Sequence, residues 1–249
     1  MFLLFASYFI IGIVVGSFLN VCIYRLPVGR SIISPPSACG ACGHRLALWD
    51  MVPVVSYFLL RGKCRYCQAP YSMRYALVEL LTGCLFVLCG FFYLPGLTLW
   101  LVFVLVAGLV VITFVDFDHQ IILDEVLILL LACGGGYVYL TFADKFDALY
   151  GALLAGGLML VIFVASRGGM GAGDVKLSFV LGVWLGFKAS LVCLMLAFVV
   201  GGLVGVVLLA TGLKTRKDPI PFGPYLCLGA YIALLFSPYL IYYYWLLFV

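Results

Sequence analysis

Charge is what this chain has least of. Asp, Glu, Lys and Arg make up 10% of its 249 residues, hydrophobic side chains make up 66%, and the mean hydropathy is +1.26. That scarcity excludes an ordinary soluble domain, in which about a quarter of the residues are charged. The marks of a cleaved secretory signal are also missing. No basic residue precedes the apolar core of residues 1–24 and no small-x-small site follows it, so this stretch reads as a retained first span. No inverted repeat of the kind common in transporters is present. The net charge of +4 reflects membrane topology rather than a nucleic-acid footprint, so no nucleic-acid partner is expected.

What the chain does have is apolar runs. A helical crossing takes about 20 mostly apolar residues, and by that measure the runs fall at 2–24, 75–94, 97–115, 121–142, 148–165, 175–190, 191–213 and 221–247. The expected fold is an all-α polytopic membrane protein of about eight transmembrane helices in contact with lipid, with tight turns at Pro95-Gly96 and near Lys188. Cytoplasmic loops are enriched in Lys and Arg. In an eight-span arrangement Arg25, Arg30, Arg45, Arg61, Lys63, Arg65, Arg74, Arg167, Lys176, Lys214, Arg216 and Lys217 share one side, while Lys145 and Lys188 fall on the other. This split makes the 25–74 loop cytoplasmic and turns both termini outward.

That loop holds Cys39-Gly-Ala-Cys42 and, 21 residues further on, Cys64-Arg-Tyr-Cys67. Paired C-x-x-C knuckles at this separation suit a tetrahedral zinc site, and a reducing compartment disfavours the alternative of two disulfides. A polar loop of about 50 residues builds little core, so a metal clip would supply its folding energy. Four thiolates leave no open position, which makes the expected zinc structural and the loop a small zinc-ribbon-like domain. His44 is either a rival ligand or a surface histidine. The other six cysteines lie in apolar spans and read as small hydrophobes.

Acids beside membrane spans are costly and mark functional candidates. One group lies in FVDFDHQIILDEV (114–126), with Asp116 ending the third span, Asp118 two residues later, and Asp124 and Glu125 opening the fourth. The other is Asp174 in GGMGAGDVK (168–176). Counting spans puts Asp116 and Asp174 at the same cytoplasmic face. Two carboxylates in proximity share one proton: the ionised one activates water and the protonated one donates to the scissile group, as in an aspartyl protease. Gly168, Gly169, Gly171 and Gly173 would permit unusual backbone angles and close approach of an extended peptide. The plainer alternative is that Asp174 caps a helix and favours its dipole. Asp118 and Asp124 either orient Asp116, bind substrate charge or solvate the interface. Lys176 either marks the membrane boundary or turns in toward Asp174. Glu79 is expected to pair with Arg25 or Arg74, and Ser17 and Asn20 to bond between helices.

These residues resemble the prepilin peptidases, membrane aspartyl proteases of the GxGD class. GSFLNVCIYRLP (16–27), the two cysteine knuckles, RYALVELLTG (74–83), DFDHQIILDEV (116–126), GMGAGDVKL (169–177) and PIPFGPYL (219–226) follow in the family's order. The resemblance implies catalysis by Asp116 and Asp174, with Gly171 and Gly173 in the surrounding motif. It implies removal of a short basic leader from prepilins or type II secretion pseudopilins at the cytoplasmic face of the bacterial inner membrane. It further implies methylation of the new N-terminus from S-adenosylmethionine, with Gly62 at a position sensitive for methyl transfer. No glycine-rich nucleotide fold marks where the methyl donor binds. The expected organisation is a first helix (1–24), a four-cysteine loop (25–74) and a seven-helix peptidase core (75–249). A GxGD protease cutting within a span and a proton-coupled transporter are the alternatives.

Overall fold

In the computed structural model, residues 1–166, 168–215 and 218–248 are described, with the side chains of 244, 245, 247 and 248 left aside. Arg167, Arg216 and Lys217, counted above among the basic residues, lie outside this set. Among the described residues there is no β-strand beyond two isolated bridges, and seven helices are long and apolar enough to cross a membrane. The chain divides into two compact units, Met1–Leu99 and Trp100–Val249.

In the first unit α1 (Phe2–Arg25) packs against α3 (Arg74–Phe92). The register is antiparallel: Tyr8 meets Gly90, Gly12 meets Gly83, Gly16 meets Glu79, and the Asn20 side-chain amide donates to the Tyr75 carbonyl at 3.0 Å. The contacts recur every four residues along α1, one row of its surface, and a glycine at each of the first three steps lets the backbones close in. Ser17 hydrogen-bonds Glu79, so Ser17 and Asn20 do bond between helices as expected. Glu79 does not pair with Arg25 or Arg74. Buried in α3, it accepts the Val54 backbone N–H at 2.7 Å as well as the Ser17 hydroxyl. The short helix α2 (Val55–Leu59) begins just after Val54, so the loop is tied to the helix pair at this point.

The second unit contains α4 (Leu97–His119) from Trp100 onward, α5 (Asp124–Thr141), α6 (Phe146–Ser166), α7 (Ala172–Ala210) and α8 (Gly223–Phe248). Continuous, the 39 residues of α7 would span about 58 Å, nearly twice the hydrocarbon core of a bilayer. They are not continuous. Gly186 takes φ 71° and ψ −177°, a region open to little but glycine, and the helix folds back on itself there. Leu181 and Leu185 of the first arm line the same small cavity as Ser190, Cys193 and Leu194 of the second. Asp147 of α6 accepts the Phe187 N–H at 3.2 Å and secures the turn. The long helix, one of the seven membrane-capable helices, is therefore two arms, against the two separate spans expected, with the turn at Gly186 rather than at Lys188.

α6 and α8 pack against α7, and α5 reaches it through Trp184, whose indole donates to the Leu130 carbonyl at 2.8 Å. On the second arm, Gly201 lies against Tyr225 and Gly229 against Cys193 and Ala197. The N-terminal end of α8 is thereby aligned with the end of the hairpin where the first arm starts.

Gly186→Ala is expected to cost about 1–3 kcal/mol, the usual penalty for a side chain in that backbone region. Thermal unfolding of the purified protein in one detergent checks it, against Gly135→Ala, where an added Cβ meets nothing within 4 Å.

Candidate active site and cysteine cluster

α4 runs one turn past its expected end at 115, so Asp116 sits inside its last turn and is 5% exposed. Asp174 is the third residue of α7 and is 8% exposed. The two acids are close enough to interact through their charges, which places both sequence candidates in one buried site.

Backbone N–H groups at helix starts hold each carboxylate. Gly171 precedes the first residue of α7, and its N–H bonds the Asp174 carboxylate, the half of a capping box in which an acid at the third helical position reaches back. The capping role and membership of an acid pair thus coexist in Asp174. For Asp116 the donor is the Gly223 N–H, 2.9 Å from Oδ2, at the first residue of α8. Helix N-termini carry partial positive charge, and here two of them converge on two acids.

Gly223 has no room for a side chain, because a Cβ there would lie 2.7 Å from Asp116 Oδ2. In the sequence Gly223 shows only as part of PIPFGPYL (219–226), and this contact is not legible there. The donor is a main-chain group with no residue-type signature, and only the Pro-Phe-Gly-Pro spacing hinted at a helix start. Cys227, one turn further along α8 and buried, bonds the Thr113 side chain and senses the charge of both acids. It too had been read only as a small hydrophobe.

The glycines before Asp174 act differently from the expectation. Of the four, only Gly168 has a positive φ (100°), and Gly171 sits at φ −76°, ψ 139°. Gly173 serves close approach, since a Cβ would come within 3.0 Å of Ile122 in the link between α4 and α5. Lys176 does not turn toward Asp174. It grips both carboxylate oxygens of Asp124 at 2.8 and 2.9 Å. Asp118, His119, Asp124 and Glu125 are all exposed, apart from the buried pair.

In the first unit each C-x-x-C knuckle has the same backbone. The Cys39 N–H bonds the His44 carbonyl and the Gly43 N–H bonds the Cys39 carbonyl. Cys64 with Ala69, and Gln68 with Cys64, repeat the pattern. All four sulfurs lie within 4.8 Å of one another and are free thiols, so the disulfide alternative is not realised. Cys39 Sγ and Cys67 Sγ are 3.8 Å apart, which matches the edge of a tetrahedron built on Zn–S bonds of about 2.3 Å. His44 is outside the cluster and stacks on Tyr66 at 3.7 Å, joining one knuckle to the other. Asp50 braces the second knuckle, accepting from Arg65 Nε at 2.6 Å and Tyr66 Oη at 3.2 Å.

The donor set fits a divalent cation on chemical grounds as well. The Cys42 and Ala41 backbone N–H groups pull the Cys39 thiol down to about 6. Although the Ala69 N–H draws Cys67 down, burial and the other three sulfurs push it up to about 12. Four thiolates at this spacing repel one another, and a cation between them would relieve that repulsion.

Two outcomes are expected. Metal affinity should fall as pH drops through about 6, where Cys39 regains its proton, and Cys64→Ser should abolish retention; zinc content after dialysis at pH 5 and pH 8 checks both. Gly223→Ala should lower kcat of any reaction run by the acid pair by about 10²-fold or more, with zinc content unchanged, and steady-state kinetics on the folded variant measures it.

The chain matches the Bacterial Peptidase A24 N-terminal domain over residues 10–93 and the Type IV leader peptidase family over residues 103–206. It is 35% identical to the prepilin leader peptidase/N-methyltransferase of Aeromonas hydrophila, over 94% of this chain and 91% of that protein. Identity to the protein of the same name from Pseudomonas aeruginosa is 35%, over 92% and 89%. For the one from Myxococcus xanthus it is 40%, over 84% and 65%. No solved structure matches the chain. A helical multi-pass membrane protein with these relatives along nearly its whole length belongs to the type IV leader peptidase family.

Proposed function

We propose that this chain is a prepilin leader peptidase and N-methyltransferase of the bacterial inner membrane. It releases the basic leader of a type IV prepilin or type II secretion pseudopilin and then methylates the new N-terminus. The observation that carries the reading is the buried pair Asp116 and Asp174, each held by a backbone N–H at a helix start. The names and coverage of the relatives support it.

One proton is shared between the two carboxylates. The ionised member takes a proton from water as the water oxygen attacks the scissile carbonyl carbon. The protonated member donates to the carbonyl oxygen. When the tetrahedral adduct collapses, the C–N bond breaks, the leaving amine takes the proton that came from water, and the other carboxylate takes back the hydroxyl proton as the carbonyl re-forms, which returns the pair to its starting state. The exposed carboxylates of Asp118, Asp124 and Glu125 attract the basic leader, and Asp124 also binds Lys176. The pair faces the cytoplasm, as the distribution of Lys and Arg implies, and both termini face outward.

Cys39, Cys42, Cys64 and Cys67 would hold zinc, which would supply folding energy to the loop and, with four thiolates and no open position, no hydrolytic chemistry. S-adenosylmethionine, when bound, would supply an electrophilic methyl group, which the freed amine would take with loss of a proton while the donor's sulfonium leaves as a thioether. Gly62 supports this second activity by shaping the loop. At φ 67° it donates its N–H to the Tyr57 carbonyl and accepts from the Tyr71 N–H, and a Cβ there would press on the Tyr57 ring, 3.0 Å from Oη.

Incubation with a prepilin and mass analysis of the products tests both activities. Asp116→Asn and Asp174→Asn are each expected to slow leader release by at least about 10²-fold. Gly62→Ala is expected to leave release intact while the methyl increment of about 14 Da, dependent on the added methyl donor, declines. Rapid release by either Asn variant would remove that residue from the mechanism.

A further inference from the structure

Within the second unit α5 and α6 both pack on α7, yet a groove of about 570 Å³ lies between them. Its apolar walls are Ile128 of α5 and Leu153 and Leu160 of α6, side chains that are 68%, 58% and 51% exposed, with Phe179 of α7 at the base. The Asp124–Lys176 ion pair lies at one end.

Three features distinguish this groove from ordinary lipid-facing surface. Its α7 wall adjoins the acid pair in sequence, because Val175 and Lys176, which line it, follow directly on Asp174. It is lined on α6 by Gly157, where an added Cβ would meet nothing within 4 Å, so another helix can approach the α6 backbone there. Its charged end at Asp124 is followed directly by the exposed Glu125, and acidic groups there complement a basic peptide emerging at that end. From Asp124 to Leu131 the groove follows α5 for about 10 Å, close to two helical turns.

We infer that this groove seats the apolar helix of the prepilin, so that the first two turns after the scissile bond lie between α5 and α6 while the basic leader passes the Asp124–Lys176 end. The inference rests on the prepilin reading above and assigns a location to the substrate helix. The occupant is a peptide helix whose apolar side chains meet Ile128 and Leu160 and whose backbone faces Gly157. Register along the groove then sets which peptide bond reaches Asp116 and Asp174.

The test uses the full-length protein in lipid nanodiscs. A photoreactive benzoylphenylalanine replaces Leu153 in the Asp174→Asn background, so that prepilin is held uncleaved, and a second probe replaces Leu203 on the other arm of α7 as a control. Irradiation is expected to join prepilin to the probe at 153 and not to the one at 203. A crosslink from 153 to lipid alone overturns the inference. Independently, Gly157→Leu with Asp174 intact fills the groove and is expected to raise KM for prepilin by about tenfold or more, with kcat little changed. An unchanged KM in the folded variant also overturns the inference. If Gly157→Leu does not fold, the crosslink decides alone. Because photocrosslinking requires no cleavage, the result is separate from the fate of the acid-pair mechanism, which Asp116→Asn decides.

Discussion

A carboxylate at the edge of a membrane loses most of its water, and something in the protein must replace it. Here the replacement is the main chain. The Gly223 N–H serves Asp116 and the Gly171 N–H serves Asp174, and both come from helix starts, where unpaired N–H groups and partial positive charge are already available. Much of the second unit follows from that requirement. The N-termini of α7 and α8 must arrive at the last turn of α4 together, which demands that the chain return to the same face after α7. The reversal at Gly186 makes that return possible, and the contacts of Gly201 and Gly229 with α8 align the returning arm.

The four-cysteine loop obeys a different constraint. It has too little apolar material for a core of its own, and its two matching knuckles present four sulfurs whose protons compete for one small volume. A metal ion held by the four sulfurs would resolve that competition and supply folding energy together. Around it, the His44–Tyr66 stack and the Asp50–Arg65 bond tie knuckle to knuckle and knuckle to loop, while Glu79 fastens the loop to the α1–α3 pair through the Val54 N–H.

How much of this was legible in the sequence depended on whether side chains or main chain did the work. The helices were readable as apolar runs, and the Gly186 turn fell two residues from its expected place because a hairpin inside a continuous apolar stretch has no polar boundary to mark it. Asp116 and Asp174 were readable because the parity of the spans put them on one face. Gly223 was not, since a backbone donor carries no residue-type signal. The expectation for Glu79 failed for the same reason: Arg25 and Arg74 were the visible cations, but a backbone N–H and a hydroxyl took the carboxylate. Lys176 found Asp124 across a 52-residue separation, a pairing that no local pattern encodes.

The central claim is that two acids act as one unit with a single shared proton. The most direct test is kcat/KM for prepilin cleavage as a function of pH. A shared-proton pair predicts a bell whose acid and alkaline limbs both belong to the pair and persist when the leader's charge is varied. A profile with one limb only, or one whose limbs move with the leader, would contradict it.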